Sequence, residues 1–560
     1  MLLISISALP QSQAQRSAAT FVPEGANSQI SGMASTYVPI ESWVYSAFEQ
    51  LATAGYVQTA FAGLRPWTRM ECARLIDEAE EQQAASNSAE PSYSLMRELR
   101  LEFASELRRR DGERNREVRV ESMDVRSMAI AGAPLTDGYH SAQTIINDYG
   151  RPYGQGENTY AGISLRTSEG RFSAYLHAEM QQGASAPATP ASAAAAIAAA
   201  DFTPSAAEGP ISGLSRGRVL EAYVSGAFGG NQITFGKQSL WWGPSRGGPL
   251  LFSNNAEPIT MLRYDRVQPF ELPGVGRWLG PIRVQLFLGR LSGQQFVHVV
   301  SQTIGQPGVA LKDQPFIHGE KVSFKPTPNF EFSVSRTGIF AGAGAPFTTH
   351  SFLRSLFSVS TSNEGDDPGD RRSGVDMQYR LPKLRNWLTG YVDTFTDDQP
   401  FPINYPTDSV WSPGLYLSHV PKIPRLSLRT EGYVSPGRYF FPGFYYFNVH
   451  YLSGYTNQRQ LLGSWIGRES NGFQIWSTWR FSPRSTVEVN VRHVSESSEF
   501  LRGGNLRDIG LTADFALRPE WQLKVGAQDE RWRFPLFAAS SQHNVAATFQ
   551  ISYRPKGGTL

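Results

Sequence analysis

The stretch from Gly236-Lys237-Gln238-Ser239-Leu240-Trp241-Trp242-Gly243-Pro244 to Leu250-Leu251-Phe252-Ser253-Asn254-Asn255-Ala256-Glu257-Pro258 is the most distinctive in this chain. A strand over Ile233 to Gln238 runs into a tight Gly/Pro-rich connection that carries two indoles. Flat aromatic faces suit the apolar faces of pyranose rings, so Trp241 and Trp242 could form a platform on which a sugar stacks. The same residues equally suit anchoring a strand end at a membrane interface or packing beneath the loop. Asn254 and Asn255 fit turns, because Asn tolerates left-handed backbone and bonds its own chain. Arg246, Arg438 and Arg468 stand beside aromatics, where a guanidinium would take the carboxylates of an acidic glycan. Each of the three also fits an internal ion pair in a charged interior.

Residue patterns for catalysis do not assemble. The 9 histidines are scattered, with no pair at metal-ligand spacing on one element. Neither a nucleophile elbow nor a phosphate-cradling loop occurs, and Gly338, Gly342 and Gly344 lack the spacing of a dinucleotide fingerprint. Carboxylates are common enough to leave a glycosidase pair open. Neither a metal nor a cofactor is expected, and the reading is of a protein that is not an enzyme. The acidic stretch Asn363 to Arg372, with Glu364, Asp366, Asp367 and Asp370, matches no metal loop and reads as a solvated turn. The one cysteine, Cys72, reads as a small buried helix residue.

The composition says what kind of scaffold must hold these residues. Among 560 residues there are 52 Gly and 36 Pro, 12% are aromatic, and only 18% are charged. Few charges with many aromatics suit a surface that faces lipid. The formal charge of +2 gives no reason to expect a nucleic-acid partner. No apolar run reaches the roughly 18 residues of a membrane-spanning helix. Leu2 to Leu9 with the small-x-small pattern Ser12-Gln13-Ala14 resembles the tail of a secretory signal, so residues 1–14 are expected to be a shortened signal peptide.

Two periodicities follow one another. Over residues 36–112 the spacing predicts a helical domain of three helices. The first, from Ile40 to Ala54, carries Trp43, Ala47 and Leu51 on one stripe and stops at Gly55. The second begins at Thr68, with Thr68 and Glu71 spaced as a capping box. The third places Leu95, Leu99, Phe103 and Leu107 four apart. Over residues 116–554 the period becomes two: Val487, Val489 and Val491 alternate with Glu488, Asn490 and Arg492. The strand runs at Phe330 to Ser335, Gln522 to Val525 and Val545 to Tyr553 behave likewise. Charges in mid-strand opposite an unbroken aliphatic face fit a wide barrel, wet inside and oily outside. Tyr439-Phe440-Phe441 with Phe444-Tyr445-Tyr446-Phe447 fits an interface girdle. At ~10 residues per strand plus turns and loops, the region supplies about 16–18 strands. The fold class is therefore mainly β: a large antiparallel transmembrane β-barrel preceded by a small α-helical domain, which caps its periplasmic side. Residues 183–213, rich in Ala, Ser and Pro, read as an exposed loop with a weak helical centre.

The tryptophan stretch also resembles the capsule assembly Wzi family of outer-membrane proteins. Further matches are Leu272-Pro273-Gly274 with Leu279-Gly280-Pro281, and Phe324-Lys325-Pro326 leading to Ser335-Arg336-Thr337. Gly463-Ser464-Trp465-Ile466-Gly467-Arg468-Glu469 and Arg480-Phe481-Ser482-Pro483-Arg484 follow in order. Together they cover roughly residues 215 to 553. Tyr37-Val38-Pro39 through Arg65-Pro66-Trp67-Thr68-Arg69 looks like the helical domain of some members. The resemblance implies an 18-stranded, blocked barrel that binds acidic or neutral capsular polysaccharide at the cell surface and helps hold the capsule there. Outer-membrane lipid, lipopolysaccharide and, during biogenesis, the barrel-assembly machinery are the other expected partners. The Ala-rich insert at 183–213 departs from the family pattern, as does the tail after Tyr553. A diffusion porin is the alternative that shares the barrel, and a membrane-embedded hydrolase is a further one.

Overall fold

The computed structural model describes residues 32–86, 91–204, 212–298, 307–342, 347–357, 369–384, 386–397, 408–435 and 441–555. The signal expected over residues 1–14 and the candidate Arg438 lie outside these residues, as do Tyr439, Phe440 and residues 363–368 of the acidic stretch. Among the described residues, eighteen antiparallel strands close into one barrel, from Arg116–Gly132 round to Gln542–Tyr553. The seam is a ladder from Met123 opposite Tyr553 to Gly132 opposite Asn544.

Alternation decides which wall faces what. On the strand Ser485–Glu496, Val489 and Val491 are 39% and 37% exposed on the outside, whereas Arg492 between barrel and plug is 2% exposed. Val125, Val224, Phe235, Leu262, Ile509, Val525 and Phe549 continue the exposed apolar wall around the barrel. A contiguous belt of this kind is tolerated only where hydrocarbon, not water, covers it.

One rim carries short connections. The strand Gly156–Glu169 leads to Phe172–Gly183, and Leu214–Phe228 to Asn231–Gln238, through two residues each. The chain enters at this rim, since Arg116 pairs with Glu169, and so the helical domain sits there. The other rim carries the long connections, including 133–155, 239–258 and 434–469.

The helical domain contains Trp43–Ala54, Arg69–Ser86, Pro91–Glu102 and Ala104–Arg110. Gly55 ends the first helix in the left-handed region, φ 92°. Thr68 Oγ1 accepts from Glu71 N at 3.2 Å, but the Glu71 carboxylate turns to Arg74 instead of closing the box. The expected third helix is two, broken at Phe103. The break buries the Phe103 ring with Leu95 and Leu99, and swings Glu106 and Arg109 toward the barrel wall. Cys72 is in the same core, where burial pushes its thiol far above the usual value and leaves it inert.

Three further expectations change. The Ala-rich insert contains a helix, Ala191–Asp201, docked through buried Ala193, Ala194 and Ala198 rather than exposed. Asp370, Arg371 and Arg372 are buried at the start of a strand, not in a solvated turn. Phe444, Tyr445 and Tyr446 belong to the core inside the barrel, not to an outer girdle. Mid-strand carboxylates demand interior donors, and the aromatic loop that brings them must pack inward.

Candidate functional site

The lumen is filled from both rims, and the tryptophan stretch is where the two fillings meet. Trp241 and Trp242 form an antiparallel ladder with Arg65 and Leu64, which enter from the helical domain. Trp242 Nε1 donates to Gln285 Oε1 on the wall at 2.5 Å, and its ring packs edge-on against Phe252 and Phe287. Wall carboxylates hold the rest of this loop by its backbone. Leu250 N donates to Asp393 at 2.8 Å; Arg246 N and Gly247 N donate to Glu431 at 2.6 and 2.9 Å. Gly243 has φ +151°, and a Cβ there would come within 2.8 Å of both Asp393 and Pro249. Only glycine lets the chain turn this close to the wall.

Two other long connections close over this loop. Ser253 N donates to Leu462 O at 2.8 Å, and Tyr446 OH to Leu250 O at 2.7 Å. Gln143 Nε2 donates to Asn255 Oδ1 at 2.5 Å, and Tyr149 N to Asn254 O at 2.7 Å. Arg492 reaches inward from the wall to the carbonyls of Gln143 and Thr144. Asn254 and Asn255 therefore fasten three loops to one another.

The outermost layer is a charged clamp. His140 lies between Asp137 at 2.9 Å and Asp201 at 2.7 Å, and Asp201 also takes Arg468 at 2.5 Å. Arg468 is fully buried, with its guanidinium against the rings of Tyr139, Phe447 and Phe500. Burial alone would lower the imidazole, but the two carboxylates outweigh it and push His140 up to about 10. Because the folded value lies above the unfolded one, this contribution is complete below pH ~6.5 and disappears as pH rises through about 10. His140→Ala is expected to cost the docking of Ala191–Asp201 about 2 kcal/mol at pH 7, since it strips two buried carboxylates of a donor. Hydrogen exchange of that helix reads the effect, and the wild type should show the same loosening only above pH ~10.

At the short-connection rim, Glu331 accepts from Ala62 N and Gly63 N at 3.0 and 2.9 Å. A Cβ on Gly63 would meet Asp376 Oδ1 at 2.5 Å, so the approach requires glycine. Lys325 donates to the carbonyls of Gln58 and Ala60, and Arg429 pairs with Glu49 at 2.6 Å. Glu106, fully buried, pairs with Arg69 at 2.8 Å and with Arg166 of the wall at 2.9 Å. Between domain, loops and wall remains a cavity of about 630 Å³, bordered by Trp43, Tyr149, Tyr160, Trp241, Arg246 and Glu488 among others. Arg246 pairs there with Glu488 at 2.8 Å and lies over the Trp476 ring.

The structure thus brings Trp241, Arg246 and Asn254 to one cavity, sets Trp242 and Asn255 inside the plug, and puts Arg468 in the outer clamp. Sequence reasoning missed Glu331, Asp393, Glu431 and His140. The three carboxylates were visible only as charges within strand-like runs; nothing local marks the backbone amides they receive. Among the described residues, no group of three His, Cys, Asp or Glu is placed to hold a metal.

A closed barrel with an oily outer wall and a loop-packed lumen is an occluded barrel of the outer-membrane class. The family model for the capsule assembly protein Wzi matches residues 126–547, and the chain belongs to that family. It is 25% identical over 184 residues to an uncharacterized 55.8 kDa protein in the cps region of Klebsiella pneumoniae. That match spans 32% of this chain and about a third (33%) of the relative's length. Among solved structures it is similar to Escherichia coli Wzi, described as an outer membrane protein involved in group 1 capsule assembly and a carbohydrate-binding β-barrel. The identity is 16%, the TM-score 0.64, and the match covers 93% of this chain and 100% of that one.

Proposed function

We propose that this protein binds surface polysaccharide at the long-connection rim and assists capsule assembly or attachment, without catalysing a reaction. The observation that carries this reading is the ladder of Leu64 and Arg65 with Trp242 and Trp241. Segments from opposite rims meet inside the barrel, which favours a binding surface over a diffusion path. In bacterial barrels short turns face the periplasm and long loops the exterior, so the helical domain lies on the periplasmic side in this reading. The belt then contacts outer-membrane lipid and lipopolysaccharide, and the barrel-assembly machinery inserts the chain after export on the signal at 1–14.

The seven candidate residues divide by role in this proposal. Arg468, Asn254 and Asn255 hold the loops that form the glycan-facing rim, and Trp242 ties that rim to the helical domain. Trp241 and Arg246 border the cavity, and Arg438 stays a glycan-binding candidate on its sequence alone. The test is retention of the purified protein on immobilised capsular polysaccharide from its own source strain. Saturable binding that His140→Ala weakens at least severalfold is expected. No retention, together with steady solute flux through reconstituted protein, would favour the porin instead.

A further inference from the structure

In one long connection, the described residues 347–357 lie outside the barrel. On the strand Phe316–Thr327, Lys321 points into the lumen to Asp376, and a Cβ on Gly319 would meet Trp242 of the plug. The alternate residues His318 and Glu320 therefore face outward, toward the membrane side. On the neighbouring strand Phe330–Phe340, Arg336 stands opposite Glu320 and also faces outward. Polar and charged groups on a lipid-facing wall are costly and need partners.

The helix Thr349–Phe357 supplies them from outside the barrel. His318 shares a hydrogen bond with Ser355 Oγ at 2.8 Å and, through its other nitrogen, one with Glu320 at 2.8 Å. Arg336 donates to the carbonyls of Leu356 and Ser355 at 2.9 and 3.2 Å, meeting the negative end of the helix dipole. Phe316 packs on Phe347 and Phe340 on Phe352, with ring centroids 4.5 and 5.8 Å apart. Ser355 and Phe352 turn to the wall; Phe357 is left 72% exposed and Leu353 44%, with Phe347 just before the helix 46%, while Thr349 and His350 of the first turn are exposed as well. The wall beside it is apolar: Leu286 stands opposite Glu320 on the next strand, and Leu262 is exposed one strand further round.

We infer that Thr349–Phe357 is an in-plane lipid-binding helix, seated in the acyl region of the membrane leaflet at the long-connection rim. Its continuity with the belt selects lipid as the occupant, and a short amphipathic helix at this depth binds by the apolar area it buries. This does not rest on the glycan reading; it requires only that the barrel spans a membrane.

The test labels Phe357→Cys, and separately Leu353→Cys, with a bimane fluorophore in a Cys72→Ala background. Each protein is reconstituted into phosphatidylethanolamine/phosphatidylglycerol vesicles with or without doxyl-labelled lipid, and then exposed to iodide. Leu262→Cys on the belt and Glu499→Cys in an exposed rim loop serve as lipid and water references. Quenching by doxyl lipid at least threefold stronger than at Glu499→Cys, with iodide protection matching Leu262→Cys, is expected. Iodide quenching like that of Glu499→Cys overturns the proposal. Protection from both quenchers, with excimer emission from a pyrene label, overturns it in favour of a second copy of the chain. Loss of lipid quenching at Leu262→Cys would overturn the barrel reading itself.

Discussion

Glu431→Ala unseats the plug and gives a protein that conducts ions in a planar bilayer, where the wild type is expected to be silent. Glu431 is fully buried and accepts four hydrogen bonds: from Arg246 N, Gly247 N, Tyr391 OH and Tyr433 OH. Alanine leaves all four donors without a partner in the wall. Each buried orphan costs roughly 1–3 kcal/mol, less where water follows, so the loop 239–258 loses on the order of 4 kcal/mol of docking. The barrel ladder is untouched, because the carboxylate belongs to the lumen face of an intact strand. Conductance steps should therefore appear while the barrel keeps its resistance to unfolding in cold detergent. Glu431→Gln, which retains one acceptor, should fall between the two. A silent Glu431→Ala protein with unchanged stability would mean that other contacts hold the plug.

The second large effect is expected where the helical domain joins the wall. Glu106→Ala removes the carboxylate shared by Arg69, Arg166 and Arg109, leaving buried guanidinium groups that Glu102, Glu117 and Glu121 only partly serve. Breaking such a buried network typically costs ~3 kcal/mol or more, which at 1.4 kcal/mol per tenfold is about a hundredfold more frequent undocking. Proteolysis at the exposed stretch 111–114 should accelerate by a similar factor. Burial alone would raise the Glu106 carboxyl, but Arg69 and Arg166 outweigh it and hold it well below the carboxylate range. A depressed folded value means this stabilisation is complete above pH ~4.5 and declines only as pH falls further. The wild type at pH 3 should thus begin to resemble the variant at pH 7.

The outer wall was legible because hydrocarbon reads side chains one at a time. Val487, Val489 and Val491 alternate with the polar Glu488, Asn490 and Arg492, and that alone sets strand, face and solvent. Helix ends were legible for the same local reason, as at Gly55. What the sequence could not express was pairing inside the lumen. Trp242 looks the same whether it offers a face to a sugar or donates to Gln285, and the difference lies 43 residues away along the chain. The run Phe444 to Phe447 satisfies a girdle and a plug equally well, and only the amide-seeking carboxylates of the wall decide between them. The Ala-rich insert signals its docking only weakly, because small Ala193, Ala194 and Ala198 make the packing and the polar tie of Asp201 goes to His140 and Arg468 in distant loops.

Polysaccharide retained on cells lacking this protein, compared with cells carrying it and with polysaccharide shed into the medium, separates glycan attachment from solute transport. Binding at an occluded barrel predicts normal synthesis, with polysaccharide moving from the cell surface to the medium in the deletion strain and returning on complementation. Unchanged surface retention, with loss instead of uptake or efflux of a small solute, would contradict it.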